Sequence, residues 1–100
     1  MWNYNFYVYI TTDTHKTALY VGVTNDISVR VIQHMENRGN KKTHAGKYYC
    51  CKLIYYEHFS DINYAIVREK EIKEWRRVKK EALISTVNPK WKFLNDEIND

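Results

Sequence analysis

The segments Phe6-Tyr7-Val8-Tyr9-Ile10 and Ala18-Leu19-Tyr20-Val21-Gly22-Val23 decide the reading of this chain. Both alternate. In the first, Phe6, Val8 and Ile10 fall on one face and Tyr7 and Tyr9 on the other; in the second, Leu19, Val21 and Val23 oppose Tyr20 and Gly22. Period-two alternation is the mark of a half-buried β-strand. A hairpin through residues 11–17 makes Tyr9 and Tyr20 neighbours on one sheet face. The following segment reads as a helix carrying Arg30 and His34. Two phenols, a guanidinium and an imidazole are therefore expected beside Gly22, where the missing side chain leaves the backbone open to approach.

Outward from the hairpin, the pattern predicts strand 4–12, strand 18–24, helix 27–38, a basic loop 39–49, strand 50–58, helix 62–78 and a shorter helix near 80–87. Asn25 and Asp26 supply capping chemistry for the first helix and Gly39 ends it. Asp61 is a good N-cap for the second, following the aromatic strand Leu53-Ile54-Tyr55-Tyr56. Asn88-Pro89 stops the last helix, because the residue before proline avoids helical geometry. Trp91, Phe93 and Leu94 are expected to fold the tail back onto the core. Three strands are too few to close, so helices must cover the sheet, giving an α+β fold of order β-β-α-β-α-α in one domain, 1–100.

The chain has 100 residues, enough for one modest core. No apolar run approaches the roughly 18–20 residues of a membrane span, and no signal-peptide pattern opens the sequence, so a cytoplasmic location without membrane association is expected. Charge is unevenly placed. Residues 30–52 hold six cations (Arg30, Arg38, Lys41, Lys42, Lys47, Lys52) against Glu36, a net +5, which leaves −1 for the rest of a chain whose total is +4. Such a concentrated basic segment suits a polyanion, with nucleic acid the leading candidate, although a solvated lysine loop has the same composition. Cys50 and Cys51 are adjacent, not spaced as a metal or redox pair, and are expected to be reduced thiols with at least one in the core.

Ile27, Val31 and Met35 form the apolar stripe of the first helix, and Arg30 and His34 stand together on its flank at i and i+4. An arginine near a helix start works against the macrodipole and is more natural with a phosphate at hand. Glu69 is the sharper anomaly, falling in the middle of the stripe Ile62, Ala65, Ile66 and Ile72. A carboxylate there is costly unless it is paired, hydrogen-bonded or metal-bound. Both a salt bridge, to Lys73 at i+4 or an arginine across the sheet, and a magnesium ligand meet that requirement. His15 and His58 read as incidental, and Trp75 and Trp91 as core. His44, between Lys42 and Lys47, is placed to touch a backbone phosphate, and Tyr48 and Tyr49 are candidate stacking rings.

The arrangement resembles the GIY-YIG nuclease domain, and in particular its small stand-alone YhbQ-type members. Tyr7-Val8-Tyr9 stands at the first half of the motif and Tyr20-Val21-Gly22 at the second, with Arg30, His34, Glu69 and Asn88 following in family order. The runs Leu53 to Glu57, Arg68-Glu69-Lys70, Trp75-Arg76-Arg77 and Asn88-Pro89-Lys90-Trp91 add to the match. Tyrosine at position 7 in place of glycine is a departure that bears on the shape of the site entrance. Similar domains serve in homing endonucleases, restriction enzymes and the C subunit of the bacterial excision-repair nuclease. The resemblance implies a three-stranded antiparallel sheet flanked by helices and cleavage of DNA phosphodiesters with Mg2+ or Mn2+, in repair or recombination. Carried over residue by residue, it implies that Glu69 holds the metal, Tyr20 deprotonates or orients water, Arg30 binds the scissile phosphate, and Tyr9 and His34 orient water or phosphate. Gly22, Lys41, Lys42, Lys47 and Asn88 would then line the nucleic-acid side. A domain of this length without a separate targeting module would act weakly, recruit a partner protein, or serve as a non-catalytic binding module of the same fold. Tyrosine as base needs help. From a pKa of about 10 it must fall by about three units, which takes roughly 4 kcal/mol; His34, unperturbed near 6.5, is the rival base.

Overall fold

The computed structural model describes residues 4–98. Strand β1 (Phe6–Thr12) runs between β2 (Leu19–Thr24) and β3 (Lys52–Phe59), antiparallel to both, in the order β2-β1-β3. Helix α1 (Ile27–Glu36) and a closing 3-10 turn (Asn95–Ile98) cover one face, while α3 (Ile62–Glu74) and α4 (Arg77–Val87) cover the other. The α+β fold expected from the strand and helix pattern is present, and so is the three-stranded antiparallel sheet that the resemblance implies. Its two faces sort as the sequence says: Val8, Ile10 and Val21 pack with Ala65, Ile72 and Ile84, and Tyr9 packs with Ile27, Val31 and Leu53. A register shift after Ile10 pairs Ile10 with Tyr55 but Thr11 with Leu53, leaving Ile54 as an extra residue in β3. That bulge turns Leu53 toward α1 and sends both Ile54 and Tyr55 into the α3 layer.

The hairpin turn fixes the register on which the site depends. The Asp13 carboxylate accepts from the Thr17 and Ala18 amides at 2.7 and 2.8 Å and from the Thr17 hydroxyl at 2.8 Å. Burial alone would raise its pKa, but these bonds hold the group well below the usual carboxylate range. Arg77 locks the turn from outside, donating to the carbonyls of Lys16 and Thr17 at 3.0 and 2.5 Å.

Four expectations are corrected. The helix expected over 62–78 ends at Glu74, because Trp75 and Arg76 are extended, with ψ of 148° and 155°, and α4 begins at Arg77 rather than near 80. Charge-rich helical propensity runs straight through this point, but the Trp75 ring turns into the core, with Arg68 and Lys79 lying 5.2 and 4.2 Å from its centre. The basic loop 39–49 contains a short helix, α2 (His44–Lys47), capped by Thr43, whose hydroxyl accepts from the Gly46 amide at 3.0 Å. Cys50 and Cys51 precede β3 rather than open it; both are free thiols and both are buried. Finally, Ile62 is 40% exposed, so Ala65 and Ile72 carry the stripe of α3. The tail does return: the Leu94 amide donates to Leu53 at 2.7 Å and Trp91 packs on the core, while Phe93 stays outside between Lys16 and Lys52.

Candidate active site

Tyr9 is the hub of the site, and it is fully buried. Its register partner on β2 is Gly22, and the Tyr9 ring lies directly over that residue. A Cβ at position 22 would fall inside the van der Waals envelope of the phenol. The space expected to admit a ligand at Gly22 is therefore filled by Tyr9, which corrects its assignment as a nucleic-acid contact. Tyr20 faces Thr11 across the ladder and sits diagonally from Tyr9, with ring centres 6.3 Å apart, so the two phenols do share a face.

α1 is positioned by Asp26, whose side chain caps the Val29 amide, and it buries Ile27, Val31 and His34. Arg30 and His34 both reach the Tyr9 hydroxyl: Arg30 Nε donates at 3.1 Å, and His34 Nε2 lies at 2.8 Å. Burial pushes the Tyr9 phenol up to about 12, against the lowering effect of Arg30, so it stays protonated. Burial and the Arg30 charge push His34 down to about 4, so it stays neutral. The hydrogen-bond balance then assigns the protons. Arg30 can only donate, so the phenol's hydrogen is satisfied within this trio only by hydrogen-bonding to the Nε2 lone pair, the arrangement in which His34 carries its hydrogen on Nδ1. The expectation that Tyr9 touches water or phosphate is corrected: it holds Arg30 and His34 in place from below. Burial opposes charge on Arg30, but its bonds to Tyr9 and then Tyr20 outweigh this and raise its pKa further. Its Nη1 donates to Gln33 at 3.0 Å.

Tyr20, Arg30 and His34 open into a cavity of about 160 Å³ whose far wall is Thr43 and His44. His44 stacks against Tyr20, 6.3 Å between centres and 30° between planes, and its other neighbour is Tyr48 at 4.9 Å. It belongs to this site more closely than its place among lysines suggested. The signal was obscured by the basic loop, since only a docked α2 brings position 44 to position 20. That docking is tight: a Cβ on Gly46 would lie 2.6 Å from the carbonyls of Asn37 and Asn40. Lys41, Lys42 and Lys47 are exposed around α2, as are Tyr48 and Tyr49.

Glu69 approaches from the other layer. Its carboxylate raises the Tyr9 pKa, so it lies within electrostatic reach of the phenol cluster. Its side chain is 14% exposed and pairs with Lys73 Nζ at 3.4 Å, the salt bridge that the helical spacing allows. One long contact uses little of a carboxylate's acceptor capacity, so this donor suits a hard cation that takes one protein oxygen and fills its shell with water and phosphate. Asn88 stands apart. It is buried, its Nδ2 donates to the carbonyls of Ile54 and Lys92, and its Oδ1 accepts from the Lys92 amide. It clasps the tail to β3, and its amide is spent there rather than in the cluster of Tyr20 and Arg30.

The family model of the GIY-YIG catalytic domain matches residues 5–82. A UPF0213 protein of Staphylococcus saprophyticus is 38% identical over 79 residues, covering 79% of this chain and 93% of that one. A UPF0213 protein of Clostridium perfringens is 36% identical over 93% of this chain and 97% of its own length. The solution NMR structure of a UPF0213 protein from Bacillus halodurans superposes with a TM-score of 0.54 at 31% identity, covering 87% of this chain and 89% of that one. Since the match takes in both strand motifs, α1 and α3, the chain belongs to the GIY-YIG catalytic-domain family, in the company of the UPF0213 proteins.

Proposed function

We propose that this protein is a divalent-metal-dependent endonuclease that hydrolyses DNA phosphodiester bonds. The observation that carries the reading is the convergence of Arg30, Tyr20 and His34 on one cavity, with the Glu69 carboxylate outside its lining but within electrostatic reach of Tyr9. Arg30 is an always-charged planar donor suited to phosphate, and it is held by a phenol that does not neutralise it. Tyr20 takes the proton of the attacking water. His34 is the poorer base because its Nε2 lone pair already accepts from Tyr9 and its proton affinity is depressed. Arg30 bonds to Tyr20 as well as to Tyr9, which sets the Tyr20 hydroxyl beside the phosphate-binding guanidinium. Glu69 would hold a magnesium or manganese ion, which when bound supplies Lewis-acid stabilisation of the phosphate and the departing oxygen. His44 and the lysines around α2 contact the nucleic-acid backbone.

The test is nicking of supercoiled plasmid with magnesium or manganese, repeated in EDTA. Glu69→Ala and Arg30→Ala should each abolish it while circular dichroism stays unchanged. Nicking that survives Glu69→Ala, or a wild-type protein inert with both metals, would sink the hydrolytic reading.

A further inference from the structure

A second cavity, of about 290 Å³, lies on the other side of Tyr20 and His44. These two rings also line the first cavity, so the two spaces adjoin along the exposed edge of β2. The remaining wall is Leu19, Val21, Lys73 and Lys80, and among the described residues no acid lines it.

The cations of α3 and α4 have different occupations. Arg68 is bonded to Glu57 and Glu71, Arg77 to Glu81 and the hairpin carbonyls, and Lys79 lies over the Trp75 ring. Lys73, tied to Glu69 by one contact of 3.4 Å, and Lys80 border the open space beside the phenol. Lys80 is half-buried there, and among the described residues lining the cavity no carboxylate faces its ammonium. Lys73 stands at the end of α3 and Lys80 at the start of α4, so the two sides of the break at Trp75 each give one lysine to this wall.

We propose that this cavity is a second phosphate subsite, in which Lys73 and Lys80 hold the backbone phosphate next to the one under attack. It rests on the nuclease reading and deepens it by setting the strand's path. A nucleic-acid strand crosses the β2 edge from the lysines around α2, over the Tyr20–His44 pair, to the start of α4. The spacing is natural for a polyanion: one phosphate faces Arg30 and its neighbour faces the two ammonium groups, with the rings of Tyr20 and His44 between them.

The experiment measures binding of a fluorescein-labelled DNA oligonucleotide by anisotropy, in EDTA so that nothing is cleaved, across a salt series. Lys80→Met should lower the slope of log affinity against log salt by roughly 0.9, as expected for one lost phosphate contact. Lys73→Met with Lys80→Met should lower it further. Lys90→Met, which removes the same charge outside both cavities, should leave it unchanged. A wild-type slope in Lys80→Met, or an equal loss in Lys90→Met, overturns the subsite. Lys80→Met carries the test because Lys73→Met also removes the Glu69 partner. A protein that binds with these slopes yet never nicks plasmid keeps the subsite and loses the nuclease; one that binds no DNA loses both.

Discussion

His34 links the chemistry of the site to the stability of the fold. Its folded pKa of about 4 lies below the ordinary value near 6.5, so between these values the unfolded chain binds the proton more readily. Stability is therefore complete above about pH 6.5 and drains as pH falls toward 4, by at most about 3 kcal/mol. Urea titrations at pH 7.5 and 4.5 should show this loss, and His34→Gln should remove most of the pH dependence in that window. Asp13 contributes in a separate, lower window, because its depressed pKa makes its share disappear only once pH falls below the ordinary carboxylate value. Tyr9 works in the opposite direction: with a folded pKa raised to about 12, its share is present below about pH 10 and is lost as pH rises beyond it.

The division of labour between the phenols yields a second residue-level expectation. Tyr20→Phe should cut nicking by roughly 100-fold or more with unchanged stability, as for loss of a general base. Gly22→Ala should act through its neighbour. The new methyl forces the Tyr9 ring aside, which costs about 1–3 kcal/mol of overpacking and breaks the bonds to Arg30 and His34. In NMR titration the His34 pKa should then climb toward its ordinary value; an unmoved His34 would mean that the ring tolerates the methyl.

At the scale of elements, α2 is where the alternation and capping rules fell short. Four residues carry no periodicity, and the string of lysines reads as solvent-facing. What makes the segment a wall of the site is local: the Thr43 cap, the left-handed Gly39 with φ of +85°, and the closeness of Gly46 to two carbonyls. Gly46→Ala cannot be absorbed by a side-chain shift alone, because two of its three nearest obstacles are the backbone oxygens of Asn37 and Asn40. It should displace α2, weaken DNA binding and nicking together, and leave the amide signals of the three strands in place. The other illegible element was the break at Trp75, where burial of one indole overrode the helical preference of the residues around it. Strands, caps and the Arg30–His34 pairing were legible because each is set by spacing within a few residues. The burial of Tyr9, the filling of Gly22 and the engagement of Asn88 were not, since each depends on a partner from another strand or the tail.

For the molecule as a whole, charge is concentrated by folding more than by sequence. The segment 30–52 holds the largest local excess, yet Lys73 and Lys80 come from the part of the chain whose net charge is slightly negative. They join the basic surface because most acids of these helices are committed elsewhere, Glu71 to Arg68 and Glu81 to Arg77, and Glu69 reaches Lys73 only through one contact of 3.4 Å. Among the described residues no helix is long and apolar enough to cross a membrane.

The pair of buried cysteines gives this arrangement a practical use. Cys50 follows α2 after Tyr48 and Tyr49, its amide donates to Ala45 at 2.8 Å, and burial pushes its thiol up to about 11. A colourless, unreactive sulfhydryl behind a wall of the cleft becomes a gauge of how often that wall swings open: disulfide reagents should modify it only at the pace of local opening, and slower still when an oligonucleotide lies across the wall.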